Sequence, residues 1–291
     1  MCIRDRTWRA ERMSNTAQNL ASTRIASLLD ENSFVEIGAG ITKRSTDFNM
    51  QEKSVPSDGV ITGYGLIQNN PVYVYSQDAS ALNGTIGEMH AKKIVKIYEL
   101  AMKIGVPVIG LIDCAGLRLQ EATDALNAFG SLYASKVMAS GVIPQITAVF
   151  GNCGGGVAVA NALGDFTFME DEAKVFVSSP NVLEGNYVEK LDTAASEFQA
   201  ECGNVDFVEN TEDIYNQIRQ LVTILPSNNE DDDSYEECTD DLNRVSSVFE
   251  GEVKDPRTAL VDVSDNGFFM EVKKAYAQEM VTGFIRLNGM T

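Results

Sequence analysis

Gln145-Ile146-Thr147-Ala148-Val149-Phe150-Gly151-Asn152-Cys153-Gly154-Gly155-Gly156 is a β-prone run that ends in a glycine-rich loop. A run of small residues, Val157-Ala158-Val159-Ala160-Asn161-Ala162-Leu163, follows it. The order reads as strand, glycine turn, helix. Glycines let backbone N–H groups lie bare at a helix start, where the helix dipole is positive. Such a place suits an anion, or an oxygen becoming one. A tight turn with close helix–strand packing accounts for the same glycines equally well.

One step upstream the pattern recurs. Val106-Pro107-Val108-Ile109-Gly110-Leu111-Ile112-Asp113 is nearly all apolar, the mark of a strand buried on both faces. It runs into a second glycine-bearing loop, Cys114-Ala115-Gly116-Leu117-Arg118, and a helix over about 123–140 leads back to the opening strand. This βαβ unit predicts two adjacent parallel strands joined by a right-handed crossover. Both loops then leave the carboxyl edge of one sheet, where open α/β folds bind ligands. Two bare N–H groups could converge there on one oxygen.

Outward from this unit, residues 19–29 have the spacing of an amphipathic helix, 33–37 read as extended, and 38–57 as a surface loop. Residues 59–67 and 72–76 form a hairpin around Gln68-Asn69-Asn70-Pro71. A long helix spans 88–104, with Ile94, Ile97, Tyr98 and Ala101 on one face. Downstream, 165–169 and 174–177 read as short strands, and 186–201 and 213–225 as helices. Residues 228–241 carry Glu230, Asp231, Asp232, Asp233, Glu236 and Glu237 and read as a solvated acidic linker. A calcium loop would need ligand spacing and a central glycine that this run lacks.

Past the linker the sequence repeats itself. Asp265-Asn266-Gly267-Phe268-Phe269-Met270-Glu271-Val272 echoes Asp30-Glu31-Asn32-Ser33-Phe34-Val35-Glu36-Ile37, and Val281-Thr282-Gly283-Phe284 echoes Ile61-Thr62-Gly63-Tyr64. The expectation is one complete domain plus the start of a second like it. Residues from about 245 onward should be poorly anchored, or held only by packing on the first domain.

The net charge of −19 over 291 residues argues against nucleic acid and anionic membranes as partners. No apolar run approaches the roughly 18 residues of a membrane span, so no direct membrane insertion is expected. Residues 1–12 are basic without an apolar core, which is no secretory signal. They read as a non-native or disordered leader, with Met13 as the natural start. The five cysteines, Cys2, Cys114, Cys153, Cys202 and Cys238, show no C-x-x-C pair. That suits a reduced, cytoplasmic setting and no metal bound by this chain.

No P-loop, G-x-G-x-x-G or G-x-S-x-G motif occurs. Ala101-Met102-Lys103-Ile104 resembles a biotin-attachment tetrapeptide, but Lys103 sits in a helical pattern and biotinylation is not expected. His90 is the only histidine and is read as a hydrogen-bonded structural residue. Cys114 and Cys153 are read as small packing residues. Glu88, Glu121 and Glu184 could each serve as a general base, and nothing in the sequence picks one.

Several stretches together resemble biotin-dependent acyl-CoA carboxyltransferases, a family that includes carboxylase β-subunits and the carboxyltransferase subunits of decarboxylase sodium pumps. GEMHAKKI at 87–94 looks like their G-E-x-H-A-x-K-I, and DCAGLRLQE at 113–121 like D-S-G-G-A-R-I-Q-E. SGVIPQ at 140–145 matches directly, and GNCGGGV at 151–157 resembles G-P-C-A-G-G-A. LPSNN at 225–229 matches the L-P-x-N-N that closes their first domain, and VTGF at 281–284 looks like the opening of their second.

The resemblance implies a crotonase-like α/β spiral of ββα units. Residues 13–228 would be the acyl-CoA-binding N-terminal domain, 229–244 the acidic linker, and 245–291 the truncated start of the C-terminal domain. It implies transfer of a carboxyl group between biotin on a separate carrier and a short-chain coenzyme A thioester. Enolate-stabilising amides would stand at Gly116 and Leu117 in one loop and at Gly155 and Gly156 in the other, and Arg24 would lie near the CoA phosphates. Implied partners are a biotin carboxyl carrier protein, a biotin carboxylase or decarboxylase membrane subunit, and further copies of the chain in a homo-oligomer.

Departures are Ala115 and Leu117 in the first loop, Asn152 in the second, and a family stretch with a histidine that is lost near 181–204. They keep two alternatives open. One is a crotonase-like hydratase, isomerase or decarboxylase acting without biotin. The other is a non-catalytic scaffold subunit of a carboxylase complex.

Overall fold

A computed structural model describes residues 20–44, 55–179, 191–231, 234–241, 243–246, 248 and 255–291. The leader 1–12, Met13, Asp232, Asp233, Glu184 and residues 186–190 of the expected helix lie outside the described residues.

The predicted parallel unit is present and central. Strand β4 (Val108–Cys114) is buried along its whole length and pairs in parallel with β5 (Gln145–Gly154). Helix α3 (Ala122–Ala139) joins them. Strand β4 alternates between two cores, with Ile109 and Leu111 on one side and Val108, Ile112 and Cys114 on the other. That period of two is what a strand dictates when helices cover both sheet faces. Helix α2 (Glu88–Ile104) and α3 cover one face, and α1 (Leu20–Leu28) and α6 (Thr211–Ile224) the other.

Around this centre the strands stand side by side in chain order. Strand β1 (Val35–Glu36) pairs antiparallel with β2 (Val60–Ile67), and β2 antiparallel with β3 (Asn70–Gln77). From β3 onward the pairing is parallel, through β4 and β5 to β6 (Phe166–Glu170) and β8 (Phe207–Glu209). Strand β5 is ten residues long and serves two neighbours. Its first half pairs with β6 and its last three residues pair with β7 (Lys174–Phe176). The glycine-rich end of β5 is thus bound as a strand before the chain turns into α4 (Gly156–Asn161).

The expected helix at 186–201 is shorter among the described residues. Residues 191–195 are non-helical and α5 covers Ser196–Glu201. Asp192 and Thr193 are used in local turns: the Asp192 carboxylate accepts from the Ala194 amide and pairs with Lys174. Helix α6 starts where Asn210 accepts from the amides of Glu212 and Asp213. Replacing Asn210 with Ala is expected to cost about 1 kcal/mol, read as a lower urea midpoint at unchanged slope.

The sequence repeat is also a structural one. Strand β9 (Phe269–Val272) pairs with β10 (Thr282–Ile285), with Met270 opposite Phe284 and Glu271 opposite Gly283. In the first copy Val35 stands opposite Tyr64 and Glu36 opposite Gly63, the same register. The supporting bonds recur as well. The Asp30 amide donates to Leu66 O and the Asp265 amide to Arg286 O, both at 2.8 Å. Helix α7 (Pro256–Val263), not anticipated from sequence, stands where α1 stands in the first copy.

This second unit packs on the first. The Phe284 ring lies 5.9 Å from that of Phe166, and the Lys273 amide donates to Asp206 O at 3.0 Å. The acidic stretch is bound to it rather than free. The Glu236 amide donates to Gly289 O, and Asp240 accepts from the Asn266 amide and pairs with Arg244. Arg244 and Arg286 supply the positive charge that lets an acidic strap lie down on the protein.

Candidate active site: two glycine loops at one sheet edge

The two loops touch. A Cβ added to Gly116 would sit 3.1 Å from Gly154 O, and one added to Gly154 would sit 2.9 Å from Ala115 O. Cys114 and Cys153 are paired residues of the parallel ladder, which sets the loops level with one another.

The four expected amide donors divide into two pairs. The Gly155 N–H donates to Phe176 O at 2.8 Å, and the Gly116 N–H faces Cys114 Sγ at 3.3 Å. Both are spent inside the protein. Among the described residues, the amides of Leu117 and Gly156 donate to no protein acceptor. The direction of the Leu117 amide follows from strand alternation. Ile86 bridges Leu117 in parallel, with Ile86 N donating to Gly116 O at 2.9 Å and Arg118 N to Ile86 O at 3.0 Å. The Leu117 N–H therefore points away from Ile86. The second loop is open on its outer face. Gly155 has φ +60°, and a Cβ there would meet nothing within 4 Å. Gly156 is closed in by Phe129 and by Tyr133, whose hydroxyl donates to Gly156 O at 2.8 Å.

Arg24 reaches the same edge from α1, but its guanidinium is committed. It pairs with Asp113 at 3.0 Å and lies 5.0 Å over the Phe150 ring, and both charged side chains are nearly buried. It braces the end of β4. Gly151 makes room for this pair, since a Cβ there would sit 2.2 Å from Asp113 Oδ1.

Sequence reasoning missed the group that holds the first loop. Arg118 is fully buried. Its Nη1 bonds Asp58 Oδ1 at 2.5 Å and Glu121 Oε1 at 2.9 Å, and its Nη2 donates to Thr85 O at 2.7 Å. Glu121 also accepts from the Glu88 amide at 2.7 Å. Burial pushes the Asp58 carboxyl up from its ordinary value, and Arg118 opposes that shift. Of the signals available, the DCAGLRLQE and GEMHAKKI matches touch this network, the second through the amides of Glu88 and His90. Asp58 lies 60 residues from Arg118, and no local pattern links them.

The candidate bases resolve accordingly. Glu121 is inside the network. Glu88 pairs with Arg44 and Lys92, and these pairs hold its carboxyl below the usual range. His90 is buried with both ring nitrogens used: Nδ1 faces Asp58 O at 2.9 Å and Nε2 faces Gln77 Nε2 at 3.1 Å. A carbonyl oxygen can only accept, so Nδ1 carries the proton and Nε2 accepts from Gln77. Burial and Arg118 lower its pKa to about 3, and the ring stays neutral. It is the structural histidine expected from sequence.

Burial pushes the Cys114 thiol up to about 12 and raises that of Cys153 as well. In the native protein, iodoacetamide should label the exposed Cys202 and leave Cys114 and Cys153 unmodified until denaturant is added. Mass mapping of the labelled peptides checks this.

Among the described residues, no group of three or more His, Cys, Asp and Glu is placed to hold a metal ion, and no helix is long and apolar enough to cross a membrane. A cleft of about 840 Å³ lies where the second unit meets α5, β8 and α6, and no residue of the glycine loops lines it.

Comparison with known proteins fits this geometry. The carboxyl transferase domain model matches residues 14–291. The chain is 36% identical over 294 residues to methylmalonyl-CoA decarboxylase subunit alpha of Propionigenium modestum, covering 97% of this chain and 57% of that one. It is 38% identical over 284 residues to the propionyl-CoA carboxylase beta chain of Roseobacter denitrificans, covering 93% and 56%. The solved transcarboxylase 12S structure with methylmalonyl-CoA and methylmalonic acid bound superimposes with a TM-score of 0.86 at 33% identity, over 96% of this chain and 57% of that one. The chain spans little more than half the length of these relatives. Its fold is the crotonase-like α/β fold of that structure. The chain belongs to the carboxyl transferase domain family.

Proposed function

We propose that this chain forms the acyl-CoA side of a biotin-dependent acyl-CoA carboxyltransferase. Residues 13–228 would be the thioester-binding unit, 229–244 a strap, and 245–291 the opening of a second, like unit. The observation that carries the reading is the pair of uncommitted amides, Leu117 and Gly156, on adjoining loops with the open face of Gly155 beside them. Amides so placed can hydrogen-bond a thioester oxygen, and the bonds strengthen as that oxygen gains charge in an enolate. The donors narrow from four to these two, because Gly116 and Gly155 already donate within the protein.

The chain's own work is then to bind the thioester, aim its carbonyl oxygen at the two amides, and hold both loops rigid through β4, β5 and β7. Biotin on a separate carrier supplies the carboxyl group and the proton acceptor when bound, and we assign its site to the remaining length of the relatives. The names of the relatives point to methylmalonyl-CoA and propionyl-CoA as the substrate pair to test first.

Two measurements test the proposal. Titration calorimetry should show propionyl-CoA binding to this chain. The full-length protein should exchange carboxyl label between methylmalonyl-CoA and free biotin. Absence of exchange in a folded full-length protein would sink the reading.

A further inference from the structure

We propose that Arg118 is a positioning residue that fixes the direction of the Leu117 amide. The inference rests on the enolate-stabilising reading above. Leu117 has no side-chain role in that reading; what matters is where its N–H points. That direction is set by one bridge, the pair Ile86 and Leu117. Arg118 meets both sides of it, one through its main chain and the other through its guanidinium. Its own main chain follows Leu117, and its amide donates to Ile86 O at 3.0 Å. Its fork grips the residue before Ile86, with Nη2 on Thr85 O at 2.7 Å and Nε near Thr85 Oγ1 at 3.5 Å.

The fork is itself anchored. Asp58, which also accepts from the His90 amide at 2.8 Å, and Glu121 both accept from Nη1, the nitrogen that does not bond Thr85 O. Gly87 leaves the space that this requires: a Cβ there would sit 2.5 Å from Arg118 Nη1 and 2.6 Å from both Glu121 carboxylate oxygens.

The backbone shows that the segment is forced. Ala122, directly after Glu121, has φ +43° and ψ −119°, a region that L residues rarely adopt. Strain of that kind persists only where the surroundings over-determine the chain. Here the over-determining group is a buried cation bound to two acids and a carbonyl. A planar fork can span these partners in fixed directions, whereas a lysine ammonium is a single point charge on a flexible stem.

The experiment is isotope-edited infrared spectroscopy of propionyl-CoA labelled with 13C at the thioester carbonyl, bound to the full chain. A carbonyl held by well-aimed amides absorbs at lower frequency than the free thioester. The variants are Arg118→Lys, which keeps the charge balance, and the triple change Asp58→Asn, Arg118→Met, Glu121→Gln, which removes the three buried charges together so that neither carboxylate is left without its cation, while Thr85 O loses its donor.

We expect the wild-type chain to show the down-shifted band. We expect both variants to bind propionyl-CoA within about threefold of wild type, while the band returns to the free position. A variant that is folded, binds, and keeps the wild-type band overturns the positioning role and leaves the enolate reading standing. A wild-type chain that binds without any shift overturns the enolate reading and the positioning role with it. Loss of binding in step with loss of thermal stability in both variants would mean that Arg118 only holds the fold, and would likewise overturn the proposal.

Discussion

Gly84→Ala is expected to destabilise the protein by about 3 kcal/mol or more. Gly84 has φ +63°, and a Cβ there would lie 2.1 Å from the carbonyl oxygen of Asp113. The obstacle is backbone at the end of β4, so no side-chain rotation relieves it. Left-handed backbone costs a non-glycine residue roughly 1–2 kcal/mol by itself, and the clash adds displacement of the strand end. That displacement reaches the first glycine loop directly, because the Ala115 amide donates to Asn83 O at 3.0 Å. The variant should therefore lose thioester binding as well as stability.

Gly130→Ala is the control. Gly130 lies inside α3, and a Cβ there would meet nothing within 4 Å. The same substitution should leave stability unchanged or raise it by up to about 1 kcal/mol. The urea midpoint of Gly84→Ala should fall, and that of Gly130→Ala should stay or rise. A Gly84→Ala midpoint within experimental error of wild type would mean that the turn does not pack on β4 as described.

The parts of the fold that were legible in the sequence are those whose cause is local. The run at 106–113 is apolar throughout because β4 is buried on both faces, and a run of that kind has few alternatives. The hairpin at 60–77 carries its own turn, with Gln68 and Asn69 both at positive φ. Helix α7 was not read from the sequence: it is eight residues long and none of them is buried. Its presence follows instead from the repeat, which extends further toward the N-terminus than the matched residues.

The site divides in the same way. Glycines in a strand–turn–helix pattern mark both loops, but which amides stay free depends on acceptors elsewhere. Phe176 O, which takes the Gly155 proton, arrives from β7. Arg24 shows the same thing, because the carboxylate it pairs with, Asp113, lies 89 residues away. Long-range pairings of this sort leave no periodicity to read.

Lys136→Met is expected to stabilise the protein by about 3 kcal/mol at pH 7. Lys136 is 1% exposed in the interface between α2 and α3. Its Nζ donates to Tyr98 Oη at 2.9 Å and lies 5.3 Å over the same ring. Burial lowers its pKa from 10.5 to about 8, against the pull of Asp165 and Cys153. Keeping it charged at pH 7 therefore costs about 3 kcal/mol relative to the unfolded chain. Methionine fills similar volume without that charge.

The sign with pH follows from proton uptake. Between about 8 and 10.5 the unfolded chain binds this proton and the folded one does not, so the lysine's penalty shrinks as pH rises through that window. The buried acids around it act oppositely. Burial raises the pKa of Cys153, Tyr75 and Tyr98, so their contribution falls once pH passes the ordinary values of 9.0 and 10.0. Wild-type stability alone would blend the two trends, and the difference between wild type and Lys136→Met separates them. That difference should be largest below pH 8 and should narrow by pH 9.5, as measured by urea unfolding at each pH. A gap that stays constant across the window would show that Lys136 keeps its proton in the fold as it does in the unfolded chain, so that burial has not lowered its pKa. A variant less stable than wild type would show that the bond to Tyr98 outweighs the cost of the buried charge.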